Sequence, residues 1–395
     1  MRRTSFFDIP QELVDLIIDH FHNDFTTLHI CAVVSRAWLY PARAHLFREV
    51  LLARPEDVYN LQQLIIAKKH IARCVRTLKI NSKIFKPGPN PDKPVQSGYI
   101  EYIQQSLFKP LIHLRTLHFD YVHFDTVILD QHLLEAIGEL PICELKFTRC
   151  DFRDFETFEK VVFANTNVTH LSLDDVKWKE TPDFTVFSDT YKINRASLAL
   201  THISFGGYCE IELYRNWLEQ GLSFSSLRSL EATGLAQIGD VQLVAGILEK
   251  VASTLQHLRL RCLFSCAHEY QLSEIPSIID LAPLQHLYSL HLSPQGLDNR
   301  LFSWAPNLLS QITSPNLRKI TIDAHLHASQ RELKLKGWEQ FVALIKAPRF
   351  SGVEQVCVWH RGPMEWKGAE ELVKGCFGGL REYQKVRVED HIFRG

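Results

Sequence analysis

Apolar residues recur in two different rhythms along this chain. Over residues 7–50 the rhythm is helical. Leu13, Leu16, Ile17 and Phe21 share one face at spacings of three and four, and Val14 and Ile18 widen it. Pro10 suits a first helical turn, with Glu12 at the positive end of the helix dipole. Asp24 is placed to cap a second short helix holding Leu28 and Cys31. Ser35 is placed to cap a third, carrying Trp38, Ala42 and Leu46, in which Pro41 predicts a kink or a restart. Pro55, Glu56 and Asp57 then open a further helix whose buried face is predicted to hold Leu61, Leu64 and Ile65.

Beyond residue 73 the rhythm changes. An apolar residue, two variable ones, an apolar one, a variable one and another apolar one recur at steps of about 30 residues. The triplets are Val75-Leu78-Ile80, Leu114-Leu117-Phe119, Ile142-Leu145-Phe147, Val168-Leu171-Leu173 and Leu200-Ile203-Phe205. They continue as Leu227-Leu230-Ala232, Leu255-Leu258-Leu260, Leu287-Leu290-Leu292, Leu317-Ile320-Ile322 and Val353-Val356-Val358. Alternation inside each triplet predicts a short strand with one buried face. Parallel stacking of such strands needs a return segment each time. Helical spacing does appear between them, in Leu133-Leu134-x-x-Ile137, in Val241-x-x-Val244-x-x-x-Leu248 and in Trp338-x-x-Phe341-x-x-Leu344-Ile345. Val386-x-Val388 is read as a final edge strand.

The triplet array resembles an irregular leucine-rich repeat. The Asn that usually follows such a strand is largely missing, and Asp120, Asp174 and Asp323 are its nearest analogues. Residues 7–50 resemble the F-box, through Ile9-Pro10, Glu12-Leu13, Ile17, Val34-Ser35-Arg36-x-Trp38 and Leu46-Phe47, with Ile9 where Leu is usual. The Val-Ser-Arg-x-Trp run, and the helix-turn-strand of residues 337–360, look most like F-box proteins of filamentous and mushroom-forming fungi. The expected fold is therefore α/β: a three-helix F-box over 5–52, a linker helix over 53–72, and a leucine-rich-repeat-like solenoid of parallel strands with helical returns over 73–395.

The F-box resemblance implies a substrate-receptor subunit of a cullin-type ubiquitin ligase. Ile9, Pro10, Leu13, Ile17, Val34 and Trp38 would dock on a Skp-type adaptor that links to the cullin scaffold. The solenoid would hold an unidentified protein substrate. The strand centres that face away from the core are the candidate substrate surface, notably His118, Lys146, Arg259 and His291, with Arg261 and Trp359 two residues further along their strands. The alternative is a non-catalytic leucine-rich-repeat scaffold whose N-terminal helices are only a cap.

Charge adds little to this. Lys plus Arg number 44 against 45 Asp plus Glu, which gives no nucleic-acid or membrane footprint. No window reaches the ~18 apolar residues of a membrane span. With no export signal, the nine cysteines read as reduced thiols, which points to the cytosol or nucleus. Ordered catalytic motifs are missing, and no cofactor, metal or enzymatic role is expected. Cys262-x-x-x-Cys266-x-His268 lacks the spacing of a zinc pair, and His325-Leu326-His327 follows a predicted strand and reads as surface. Residues 86–94, with four prolines, and the polar stretch 174–197 read as long exposed connections.

Overall fold

The computed structural model describes residues 9–82, 105–124, 131–179, 198–207, 214, 217–218, 223–263, 273–294, 304–325, 338–361, 364–377 and 386–390. The chain divides into two compact units. The first is Met1–Val168 with Val176–Pro182, and the second is Thr169–Asp175 with Asp183–Gly395.

The first unit opens with three helices, α1 (Gln11–Asp19), α2 (Phe25–Val34) and α3 (Arg36–Leu46). Pro10 is the N-cap of α1, and its carbonyl accepts from the Leu13 and Val14 N–H groups. Asp24 caps α2, accepting from the Thr27 N–H at 3.0 Å and the Thr27 hydroxyl at 2.6 Å. Ser35 caps α3 through the Trp38 N–H. The core of this bundle is Val14, Ile18, Leu28, Cys31 and Ala42, with Phe21, Trp38 and Leu46 packed against it. The buried side of α1 thus differs from the expected one. The i, i+4 pair Val14 and Ile18 fills the contact with α2 and α3, which turns Leu13, Leu16 and Ile17 outward.

Pro41 does not restart α3; Arg36–Leu46 is one continuous helix with Pro41 inside. Proline removes the N–H that would bond the Ala37 carbonyl four residues back. That carbonyl instead accepts from Gln11 Nε2 at 3.1 Å, so the missing helical bond becomes a tie between α1 and α3.

Parallel strands follow: β1 (Glu49–Leu52), β2 (Thr77–Asn81), β3 (Thr116–Asp120) and β4 (Glu144–Thr148). β1 lies inside the segment expected to belong to the N-terminal helices, yet Val50 and Leu52 pair with Leu78 and Ile80. Helix α4 (Pro55–Ala67) buries Val58, Leu61 and Ile65, while Leu64 is only half-buried. A small parallel pair, β5 (Asp151–Phe152) and β7 (Lys177–Trp178), lies in the first unit. The start of the polar stretch 174–197 is therefore structured: Trp178 packs on Phe155 and Phe158 at 5.2 and 5.6 Å. Residues 180–197 and the proline-rich 86–94 lie outside the described residues.

The second unit carries β6 (His170–Asp174), β8 (His202–Gly206), β9 (Ser229–Leu235), β10 (His257–Cys262), β11 (Ser289–Pro294), β12 (Lys319–His325), β13 (Gln355–Arg361) and β14 (Val386–Asp390). Each pairs in parallel with the next. Val386 and Val388, on the last strand, pair with Val356 and Val358. Helical returns include Ile238–Val251, Trp304–Gln311, Trp338–Ile345 and Trp366–Phe377.

Across both units the triplets set the register. Every residue of the ten triplets is at most 3% exposed. One carbonyl per repeat, next to the first triplet residue, accepts two N–H groups from the following repeat. Arg76, Thr201, Gln256 and Arg318 all do this. The chain leaves β3, β4, β6 and β8 through a left-handed residue, Tyr121, Arg149, Asp175 or Gly207, with φ of 56°, 52°, 52° and 58°. Gly234 is glycine for a different reason: a Cβ there would strike the Gly207 carbonyl oxygen.

Buried polar side chains tie neighbouring repeats together. Asn165, three residues before its triplet, donates to the Ile137 and Leu140 carbonyls at 2.8 and 2.7 Å and accepts from the Asn167 N–H. Ser314 holds the same place in its repeat and bonds the Gln285 and Leu287 carbonyls. No described helix is long and apolar enough to cross a membrane.

Candidate functional site

Two surfaces carry the candidate residues, one in each unit. In the first unit the packing of α1–α3 is complete without Ile9, Leu13, Ile17 and Val34, which are 48%, 50%, 38% and 61% exposed. Leu16 and Val33 are exposed beside them. The Gln11–Ala37 bond draws the start of α1 to the start of α3, directly after Val33 and Val34. Pro10 is exposed, whereas Trp38 is half-buried against the bundle core. Five of the six predicted docking residues are thus open apolar side chains, and Trp38 anchors the helix that presents them. Hydrogen bonds from Thr27 hold the Asp24 carboxyl, which caps α2, below the usual carboxylate range.

The strand face of the first unit is polar and paired. Lys79, His118 and Lys146 stand in register on β2, β3 and β4. His118 Nε2 meets the Thr148 hydroxyl at 3.0 Å. Burial, reinforced by Lys79, lowers its pKa to about 4, so the ring is neutral at neutral pH. Asp120, 3% exposed, gathers Lys79 at 3.1 Å, Arg149 at 3.1 Å and Asn81 at 2.7 Å. Asp120, one of the three expected stand-ins for the repeat Asn, is therefore a buried charge with three donors.

In the second unit the corresponding row is Ser172, Ser204, Glu231, Arg259, His291, Thr321 and Cys357. The expectation that these centres point to solvent fails on β11, β12 and β13, where His291, Thr321 and Cys357 are buried. Trp359 covers the first of these. Its ring reaches from β13 back over β12 to meet His291 edge-on at 4.5 Å, and the Arg259 guanidinium of β10 lies over it at 5.6 Å. Beneath it, His291 Nε2 donates to Asp323 Oδ1 at 2.7 Å, and the Ser293 hydroxyl donates to Asp323 Oδ2 at 2.5 Å. Asp323 is itself 3% exposed. Arg259 and Arg261 remain half-exposed. Of the six strand-face candidates, Arg259, His291 and Trp359 come together, with Arg261 next along β10. His118 and Lys146 belong to the other unit.

Sequence reasoning missed the Asp323 network because Asp323 stands on β12, one repeat beyond His291 and Ser293 on β11. It also missed the stack of His170 on His202, 3.9 Å apart and in register. An in-register comparison of repeats would have found both. The arrangement does not resemble a hydrolytic relay: Ser293 and His291 both bond Asp323. Burial pushes the Cys150 thiol up to about 12 and raises Cys262 as well, so neither is a nucleophile at neutral pH. Cys266, His268, Leu326 and His327 lie outside the described residues. Among the described residues, no three His, Cys, Asp or Glu side chains are placed to hold a metal.

No protein-family model and no curated protein matches the chain. Among solved structures it is similar to the leucine-rich repeat-containing protein LegL7 from Legionella pneumophila. That likeness has 16% identity, covers 80% of this chain and 91% of that chain, and has a TM-score of 0.42. The strands themselves define the fold: an α/β chain of three N-terminal helices followed by parallel, leucine-rich-repeat-like strands with helical returns.

Proposed function

We propose that this chain is the substrate-receptor subunit of a cullin-type ubiquitin ligase. The N-terminal helices would dock on a Skp-type adaptor, and the strand array would hold a protein substrate. The observation that carries the reading is the exposure of Ile9, Leu13, Ile17 and Val34 on a bundle whose own core is filled by other residues. An apolar surface of this kind is expected to be covered by a partner, and the residues coincide with the F-box motif Ile9-Pro10-x-x-Leu13 and Val34-Ser35-Arg36-x-Trp38. No chemistry is required of the chain itself; bringing substrate and ubiquitin donor together raises their effective concentration. The described cysteines are free thiols, which accords with work in the cytosol or nucleus.

One observation favours a second reading, a binding scaffold with a helical cap. The segment after α3 runs directly into β1, the first strand of the array. A cap, however, gains from burying Leu13 and Ile17, and both are open.

Co-expression with a Skp-type adaptor separates the two. The chain should co-purify with the adaptor, and the double substitution Pro10→Ala, Leu13→Ala should abolish this. Co-purification of unchanged strength would leave the cap reading standing.

A further inference from the structure

We propose that the foot of the first unit, where β1, β2 and β3 begin, is a docking surface for an acidic protein segment that carries one apolar anchor. The proposal goes beyond the receptor reading and does not depend on it.

The charge is concentrated by the repeat itself. Arg48, Arg76 and Arg115 immediately precede β1, β2 and β3. The Arg48 carbonyl accepts from the Arg76 and Thr77 N–H groups, and the Arg76 carbonyl from those of Arg115 and Thr116. The three backbones therefore stand side by side at strand spacing, about 4.8 Å apart. The connection from α4 to β2 adds Lys68, Lys69 and Arg73. Arg43 of α3 joins them by donating from Nη1 to His70 Nε2 at 3.4 Å. Arg76 and Arg43 also lie near the Cys74 thiol, whose pKa burial raises against their pull.

These cations are largely unspent. Arg76 is committed to the Arg73 and His113 carbonyls, at 3.0 and 3.3 Å. Arg48, Lys68, Lys69, Arg73 and Arg115 are exposed, and among the described residues none of these five side chains is in an ion pair or a hydrogen bond. The bordering carboxylates are accounted for. Glu144, next along the ladder from Arg115, is bonded to Thr116 and Lys146. Asp19 is held by His45 at 2.7 Å. Glu49, exposed, shares the register row of Thr77.

Apolar side chains stand among the charges. Tyr40 is exposed and meets His70 edge-on at 6.1 Å, and exposed Ile66 lies two residues before Lys68. Forked guanidinium groups suit carboxylates, and Arg beside Tyr is the composition of protein anchor sites. A duplex or an anionic membrane spans more surface and would meet a chain of formal net charge −1, whereas a protein segment engages the cations locally.

Fluorescence polarisation of a labelled oligoglutamate peptide carrying one phenylalanine, titrated with the full-length protein, tests the proposal. The parent chain should bind it, and should bind the same peptide without phenylalanine more weakly. Arg73→Glu and Arg115→Glu should each weaken binding by about tenfold or more. Arg228→Glu makes the same charge change at the equivalent place before β9 and should alter binding by less than about twofold. All three residues are exposed, so the variants should keep the thermal transition of the parent. Pro10→Ala, Leu13→Ala should leave peptide binding unchanged, and Arg115→Glu should still co-purify with the adaptor, so a failure of the adaptor reading is seen separately. The proposal is overturned if the parent does not bind, if phenylalanine makes no difference, or if Arg228→Glu weakens binding as much as Arg115→Glu. It is equally overturned if a DNA duplex or phosphatidylserine–phosphatidylcholine vesicles bind more tightly than the peptide at equal salt and lose that binding in Arg115→Glu.

Discussion

Gln11 donates a hydrogen bond from its side chain to the Ala37 carbonyl, the acceptor that Pro41 leaves without its helical N–H. The bond fixes the first turn of α1 against α3, and so sets where Ile9 and Leu13 stand. Gln11→Ala should cost about 1 kcal/mol in the parent chain. In a Pro41→Ala background the restored N–H reaches the same carbonyl, and the cost of Gln11→Ala should shrink by about half or more. Urea unfolding of the four proteins measures this. Strictly additive effects would mean that Gln11 does not substitute for the missing bond.

Asn165 and Ser314 occupy equivalent places in their repeats but are not equally replaceable. Asn165→Ala removes donors to two carbonyls and an acceptor for the Asn167 N–H, all at a fully buried site. It should cost about 3 kcal/mol. Ser314→Ala should cost about 1 kcal/mol, because the Gln285 carbonyl keeps its bond from Asn316 Nδ2. Denaturant midpoints of the two variants give the comparison, and equal losses would contradict it.

His118 predicts a pH dependence with a definite sign. Its pKa falls from 6.5 to about 4 in the folded chain, through burial first and Lys79 second. Between those values the unfolded chain binds a proton that the folded chain refuses, so stability declines as pH drops from 6.5 toward 4. His118→Gln should flatten that decline while leaving stability at pH 8 nearly unchanged. Urea midpoints at pH 8, 6 and 5 test this, and an unaltered slope would refute it.

The strand array was legible because its signal is local. Leu287, Leu290 and Leu292 lie close in sequence, and their spacing alone orients the strand. The corners after the strands were not, since a left-handed residue can be Tyr121, Arg149, Asp175 or Gly207 and no single residue type marks it. β1 was hidden because Val50 and Leu52 adjoin the helical segment and lack a preceding return. The inner face of α1 was misread because apolar residues cover most of that helix; only packing against α2 and α3 decides that Val14 and Ile18 go in. That same inversion leaves Leu13 and Ile17 outside. On the strand face, positions were legible but exposure was not: Trp359 spans three strands, and no spacing rule within one repeat predicts that.

Calorimetric titration of a purified Skp-type adaptor into the chain, with Leu13→Asp as the variant, tests the central claim most directly. Leu13 is half-exposed and outside the bundle core, so the variant should melt with the parent. The account predicts binding by the parent chain and its loss, by about a hundredfold or more, in Leu13→Asp. Equal affinity of the two folded proteins, or no binding by the parent, would contradict it.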